Sequence, residues 1–163
     1  MKNSSVQSTI DACEADLNQI NTIINGIGLT SNIVPYLTYY AVIRSCGSIE
    51  IAYKALVADF CSYRSKKQIK LFIDTKIREN SSNPSYSNIC KMLKQFDKEW
   101  LEHFKSEMDL RSDKSQLLDS LQSLVDARNE FAHGGTPSCS INDIIRYFND
   151  SKIIIQIIDS IIL

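Results

Sequence analysis

Arg128, Asn129 and His133 lie in one short segment, Arg128-Asn129-Glu130-Phe131-Ala132-His133, followed at once by Gly134 and Gly135. The chain holds only two histidines, and one of them is here. A guanidinium is a permanent cation whose planar fork matches phosphate oxygens. A carboxamide orients by hydrogen bonds, and an imidazole moves protons near neutral pH. Those three types together suit a phosphodiester better than any other common substrate.

Helical geometry limits how they can cooperate. On a straight helix Arg128 and His133 are ~140° apart in azimuth and ~7.5 Å apart in rise, so they do not share a face, whereas Asn129 and His133 do. Arg128 continues the apolar stripe of Leu117, Leu121 and Leu124, and its head must reach out of a partly buried groove. Gly134-Gly135 tolerates left-handed backbone, which ends the helix and frees the imidazole from helical azimuth. Arg and His can then converge on one phosphate, especially where the groove is shared between two subunits.

The elements that position this segment are read from apolar spacing. Val6, Ile10, Cys13, Leu17, Ile20, Ile24 and Ile27 step by 4 and 3 in strict alternation, which predicts an amphipathic helix capped by Ser4 or Ser5 and ended by Gly26 and Gly28. A longer helix is predicted from near Asn32 to about Ser62, with Pro35 in its first turn. Its apolar positions include Val34, Leu37, Ala41, Ile49, Ala52, Leu56 and Phe60. A short basic segment follows over 65–78, and Ser81-Ser82-Asn83-Pro84-Ser85 is the clearest loop. Helices over 86–95 and 97–108 and a polar turn at 111–113 lead to the motif helix, with Leu117, Leu118, Leu121, Leu124 and Val125 on its core face. A last helix starts near Ser140 and uses Ile141, Ile144, Ile145, Phe148, Ile155, Ile158 and Ile162. No run of alternating strands occurs. The predicted fold is all-α, an antiparallel helical bundle of four to five main helices with short extra helices, in a single domain over 1–163.

Composition sets the class. Hydrophobic content of 44% with 23% charged residues suits a soluble globular chain. A formal net charge of -1 carries no message about partners, so nucleic-acid affinity must come from local patches. Cys13, Cys46, Cys61, Cys90 and Cys139 are odd in number, widely spaced and without a CxxC pair. That excludes a disulfide framework and a zinc site and fits reduced thiols in a cytoplasmic protein. The N-terminus lacks the apolar core of a secretory signal. The isoleucine-rich run from Ile153 to Leu163 is too short for a membrane span and carries Gln156 and Asp159, so it is read as a buried helix. No metal and no cofactor is expected.

An Arg on an apolar stripe, Asn directly after it, His at a Gly-Gly helix end and then a final apolar helix resemble the HEPN superfamily (higher eukaryotes and prokaryotes nucleotide-binding domains). The signature there is Arg, usually a polar residue, three to five further residues and then His, near the end of the penultimate main helix. Residues 128–133 fit it, and the bundle agrees over nearly the whole chain. The stretch from Ile43 to Glu50 is similar to the first long helix of prokaryotic members, where an Arg and a Glu (here Arg44 and Glu50) face the same groove. The resemblance implies a homodimer whose two motifs meet across a two-fold axis in one composite cleft. It also implies metal-independent cleavage of RNA, in which the 2′-hydroxyl attacks the adjacent phosphate to leave a 2′,3′-cyclic phosphate. Arg128 would then stabilise charge on the phosphoryl oxygens, His133 would act as base or acid, and Asn129 would hold the imidazole or a phosphate oxygen. A toxin or defence role is implied, with an antitoxin or regulatory protein as partner. In certain toxin members a Tyr two residues after the His is the target of a modifying partner enzyme. That position is Gly135 in this chain, so silencing by that route is not expected.

RNA contacts are expected at a distance from the motif. Arg64, Lys66, Lys67 and Lys70 open a basic segment that continues through Lys76 and Arg78 against Asp74 alone, and Lys91, Lys94 and Lys98 form a second stripe. Such clusters bind phosphate without sequence preference. Tyr63, Phe72 and Tyr86 are positioned to stack bases or to serve as core, and His103 is read as structural. Two other readings stay open. One is a non-catalytic HEPN-like module binding RNA, a nucleotide or a partner protein. The other is a plain helical interaction module.

Overall fold

A computed structural model describes residues 1–162. Seven α-helices follow in order: α1 (Ser4–Ile27), α2 (Val34–Ser62), α3 (Lys67–Ile73), α4 (Tyr86–Phe96), α5 (Lys98–Asp109), α6 (Lys114–Ala132) and α7 (Ile141–Ile161), with a π turn over Asp74–Arg78 after α3. No strand occurs among the described residues, so the all-α expectation holds.

The 4-and-3 stepping of the first helix is realised as burial. Val6, Ile10, Cys13, Leu17, Ile20 and Ile24 are all buried, while Ile27, at the end of the stripe, is left exposed. The cap is Asn3 rather than Ser4 or Ser5, because its carbonyl oxygen accepts from the Val6 amide at 3.0 Å. Asn3 also donates through its amide to Asp59 at 2.8 Å, a tertiary bond that a serine at the next position would not make. The helix runs through Gly26 and stops at Gly28, which stands at φ 85.

α2 is the central helix. Pro35 sits in its first turn as expected, and the helix packs on α1, α6 and α7. From Ala52 to Ala58 every residue is buried, because small Ala52, Ala55 and Ala58 let neighbours close in on all sides. One of those residues is Lys54. Its ammonium donates to the Glu50 carboxylate and to the Asn80 carbonyl, which offsets the cost of burying the charge. Phe60, predicted in the core, is half exposed and meets Trp100 edge-on at 5.1 Å.

Short connections make α1 and α2, and α6 and α7, antiparallel neighbours. Ser140 begins the last helix as predicted, in a full capping box with Asp143. α6 is locked to α7 by a buried carboxylate: Asp150 accepts from Ser120 at 2.6 Å and from Gln116 at 3.2 Å. The isoleucine-rich tail is a buried helix, as read from the sequence, with Ile154, Ile155 and Ile158 in the core; Leu163 lies outside the described residues. No helix among the described residues is long and apolar enough to cross a membrane. All five cysteines are free.

Candidate active site

The motif lies on the last turns of α6. Leu117, Leu121 and Leu124 are buried, and Arg128 continues their stripe half-buried, as its spacing required. Its guanidinium donates to the Asn129 side-chain oxygen at 3.2 Å. Opposite it stands α2. The buried Cys46 thiol is pushed up to about 12, first by burial, against which the nearby Arg128 cation pulls it down and the Glu50 carboxylate pushes it up. Cys46 therefore marks a point on α2 within electrostatic reach of both Arg128 and Glu50. One turn further along α6, Phe131 stacks on Tyr39 of α2 with ring centroids 5.0 Å apart.

The helix end is set by glycine. The Gly135 amide donates to Glu130 at 2.8 Å and the Gly134 amide to Phe131 at 3.0 Å, a Schellman closure with Gly134 at φ 82. His133 is the last residue before that turn, with φ -94 and ψ 13. Its imidazole is exposed and makes no hydrogen bond among the described residues. Gly135 is confined by a close approach, since a Cβ there would lie 2.6 Å from the Glu130 Cγ and 3.0 Å from its carbonyl oxygen. A side chain at this position would require the exposed Glu130 side chain to turn aside.

The other sequence-predicted residues fall elsewhere. Arg44 faces α1, where its Nε donates to Asp16 at 2.7 Å and its other nitrogen to Ser48 at 3.2 Å. Glu50 is held by Lys54 and accepts from the Ser82 amide at 3.0 Å. Arg44 is thus engaged toward α1 and Glu50 toward the loop before α4, with no bond between the two among the described residues. Arg64, Lys66, Lys67 and Lys70 are exposed and make no ion pair among the described residues. Arg64 stands at φ 55 with its guanidinium 5.0 Å from the Tyr63 ring centre. They lie beyond the far end of α2, ~36 Å along the helix from Tyr39 at 1.5 Å per residue. Tyr86 packs on Phe104 inside the bundle, whereas Tyr63 and Phe72 remain exposed.

Spacing alone did not single out the aromatic pair Tyr39 and Phe131, nor Cys46. The signal for Tyr39 was present: Phe131 follows Arg128 by three residues and so borders the same groove. An apolar cavity of about 320 Å³ opens beside them, walled by Ile24, Leu29, Val34, Tyr39, Pro137 and Ile141. His133 still donates its amide to the Asn129 carbonyl at 3.0 Å in the helical pattern, so the glycine turn follows it and, against expectation, does not free its imidazole from helical azimuth. Within one chain the half-buried Arg128 can hold an anion and the exposed His133 can exchange a proton, from different faces of the helix end.

No curated protein and no solved structure matches the chain. A family model described as RiboL-PSP-HEPN matches residues 8–163, which includes both the bundle and the Arg128–His133 segment. On that match, the chain belongs to the RiboL-PSP-HEPN family, within the HEPN superfamily.

Proposed function

We propose that this protein is a metal-independent endoribonuclease acting on single-stranded RNA, with a toxin or defence role. Membership in the HEPN superfamily supports a nucleotide- or RNA-related role, often that of an RNase. The observation that carries the finer reading is the placement of His133. Its imidazole stands in solvent at the end of α6, five residues beyond the half-buried Arg128, free of any competing hydrogen bond among the described residues.

In the proposed reaction one His133 takes the proton of the RNA 2′-hydroxyl, whose oxygen attacks the adjacent phosphorus. The P–O bond to the 5′-oxygen of the next nucleotide breaks, and a second His133, from a second copy of the chain, protonates that oxygen. The products are a 2′,3′-cyclic phosphate and a 5′-hydroxyl. Arg128 stabilises the developing charge on the non-bridging oxygens, an effect worth about 3 to 4 kcal/mol per well-placed donor. Proton transfer contributes about 10² to 10⁴-fold. Asn129 orients the Arg128 head, to which it is already bonded. Arg64, Lys66, Lys67 and Lys70 would hold the RNA backbone. Because Gly135 offers no hydroxyl to modify, control would come from an antitoxin or regulatory protein that covers the cleft rather than from modification at that position.

The test is cleavage of single-stranded RNA in excess EDTA. His133→Ala should abolish it and Arg128→Ala should lower it by about 10² to 10³-fold, both with circular dichroism unchanged, and a 2′-deoxy substitution at the scissile nucleotide should block it. Cleavage that persists in purified His133→Ala protein rejects the assignment. A second reading, a non-catalytic module that binds RNA, a nucleotide or a partner protein, is favoured by one observation: Arg44 and Glu50 are each engaged in an ion pair, with Asp16 and with Lys54. Salt-sensitive RNA binding without cleavage would select it.

A further inference from the structure

The segment that leaves the motif helix also builds the apolar cavity beside Tyr39. From His133 the chain passes through Thr136, Pro137 and Cys139 to Ser140, the cap of α7, and those four residues form one wall. Ile24, Leu29, Val34 and Tyr39 face them. The volume of about 320 Å³ lies at the lower end of the range for ligand pockets, about 300 to 1,000 Å³, and gives room for a small ring system. No Asp, Glu, Lys, Arg or His lines the cavity among the described residues. A phosphate, carboxylate or ammonium group placed inside would lose its water and find no opposite charge, so the occupant is neutral. Polar capacity is small and lies mostly at the mouth. The buried Thr38 hydroxyl donates to the Val34 carbonyl at 2.9 Å and keeps its acceptor capacity. The Thr136 hydroxyl and the Asn142 carboxamide are exposed at the rim and make no hydrogen bond among the described residues.

We propose that this cavity receives one nucleobase of the RNA strand whose phosphate lies against Arg128, and so selects which base stands beside the cut. A base is the neutral part of that substrate, with apolar faces and a polar edge. Unstacked bases lie against aromatic and apolar side chains while their edges are read by hydrogen bonds. The Asn142 carboxamide offers a donor and an acceptor side by side, the pair that reads a base edge. Two links tie the cavity to the motif. Tyr39 lines the cavity and also lies on Phe131. Cys46, which feels the Arg128 cation, is about 10 Å further along the same helix. Thr136 follows His133 by three residues, a span of at most about 10 Å. Base and phosphate of neighbouring nucleotides thus find separate partners around the end of α6, one uncharged and one cationic. A hydrocarbon ligand would leave Asn142 and Thr136 unused and has no need of a cation nearby. The identity of the strand rests on the endoribonuclease reading, whereas affinity for a base is measured apart from cleavage.

Titration of the full chain with the four 2′-deoxynucleoside 3′-monophosphates tests the pocket, because these probes carry no attacking hydroxyl. Abasic deoxyribose 3′-phosphate is the control. At least one base should bind ~10-fold tighter than the control, the scale of one stacked base. Leu29→Trp fills the mouth from an exposed position and should reduce all four probes to the level of the control. Asn142→Ala should keep most of the affinity and flatten the preference among bases to within ~2-fold. Both positions are exposed, so circular dichroism should be unchanged. Four probes that bind no better than the control overturn the proposal, as does wild-type preference in both variants. Base-selective binding that Leu29→Trp removes, in a protein that cleaves no RNA, supports the pocket and rejects the nuclease reading alone. His133-dependent cleavage whose choice of cut sites is the same in Leu29→Trp as in the wild type rejects the pocket and leaves the nuclease reading standing.

Discussion

The two ends of α2 present surfaces of opposite character. Near Val34 the chain is free of charge and exposes Ile33, Tyr36 and Tyr40; just past Ser62 it exposes Arg64, Lys66, Lys67 and Lys70. The first end adjoins Arg128 and His133, and the second lies ~36 Å away along the helix. Attraction to a polyanion is long-ranged and tolerant of position, so lysines act from a distance. Proton transfer and phosphoryl contact tolerate only hydrogen-bond distances, so those groups need a rigid helix end.

Variants at the two ends should fail in different ways. Arg128→Ala should lower kcat by about 10² to 10³-fold and leave the salt dependence of RNA binding unchanged. Combined replacement of Lys66, Lys67 and Lys70 by Ala should do the reverse, with kcat retained and the salt slope of single-strand binding reduced by about 2. Filter binding over a salt series with single-turnover kinetics checks both, and a triple variant that loses kcat would merge what the comparison separates. For stability, Leu124→Ala beneath Arg128 should cost about 2 to 5 kcal/mol in urea unfolding. Phe72→Ala, exposed at the basic end, should stay within about 0.5 kcal/mol.

Glycine substitutions give smaller effects of opposite sign. Gly134→Ala places a Cβ at φ 82 and should destabilise by about 1 to 2 kcal/mol. Gly47→Ala lies mid-helix in open space and should stabilise by about 0.5 to 1 kcal/mol. A pH-dependent effect is expected at the cap of α7. The Ser140 hydroxyl, its backbone amide and Arg146 hold the Asp143 carboxyl below the usual carboxylate range. A lowered folded-state pKa gives stability that is present above the ordinary value and lost as pH falls through the folded one. Ser140→Ala should therefore cost about 1 kcal/mol near neutrality, and the gap from wild type should narrow in acid, as read from urea midpoints across a pH series.

Periodicity carried most of the fold because burial repeats with the helical turn. The core face of α1, the Pro35 start of α2, the loop at 81–85 and the Ser140 cap were all legible. The cap of α1 was not, since Asn3 is held partly by Asp59 on another helix. In the candidate site, Arg128 on the apolar stripe and the glycine stop were legible from local spacing. The partners of Arg44 and Glu50 were not: Asp16 lies on α1, and Ser82 lies in the loop before α4. Ion-pair choices depend on which helix arrives alongside, and no single helix encodes that.

Arg64 takes the left-handed conformation, and α3 starts at Lys67 with no side-chain cap from Lys66 and buries only Ile73. Few contacts hold the segment between Tyr63 and Lys70, and it should open well before the bundle does. Its amides should exchange with solvent earliest. Limited trypsin should cut first at Arg64, Lys66, Lys67 or Lys70. Both fragments would then remain joined, because α1 and α2 on one side of the nick pack against α6 and α7 on the other. A nicked molecule should run as two bands under denaturing conditions and as one species in native sedimentation. The covalent link across this segment is thus dispensable once folding is complete, and the motif could in principle be assembled from two separately made chains.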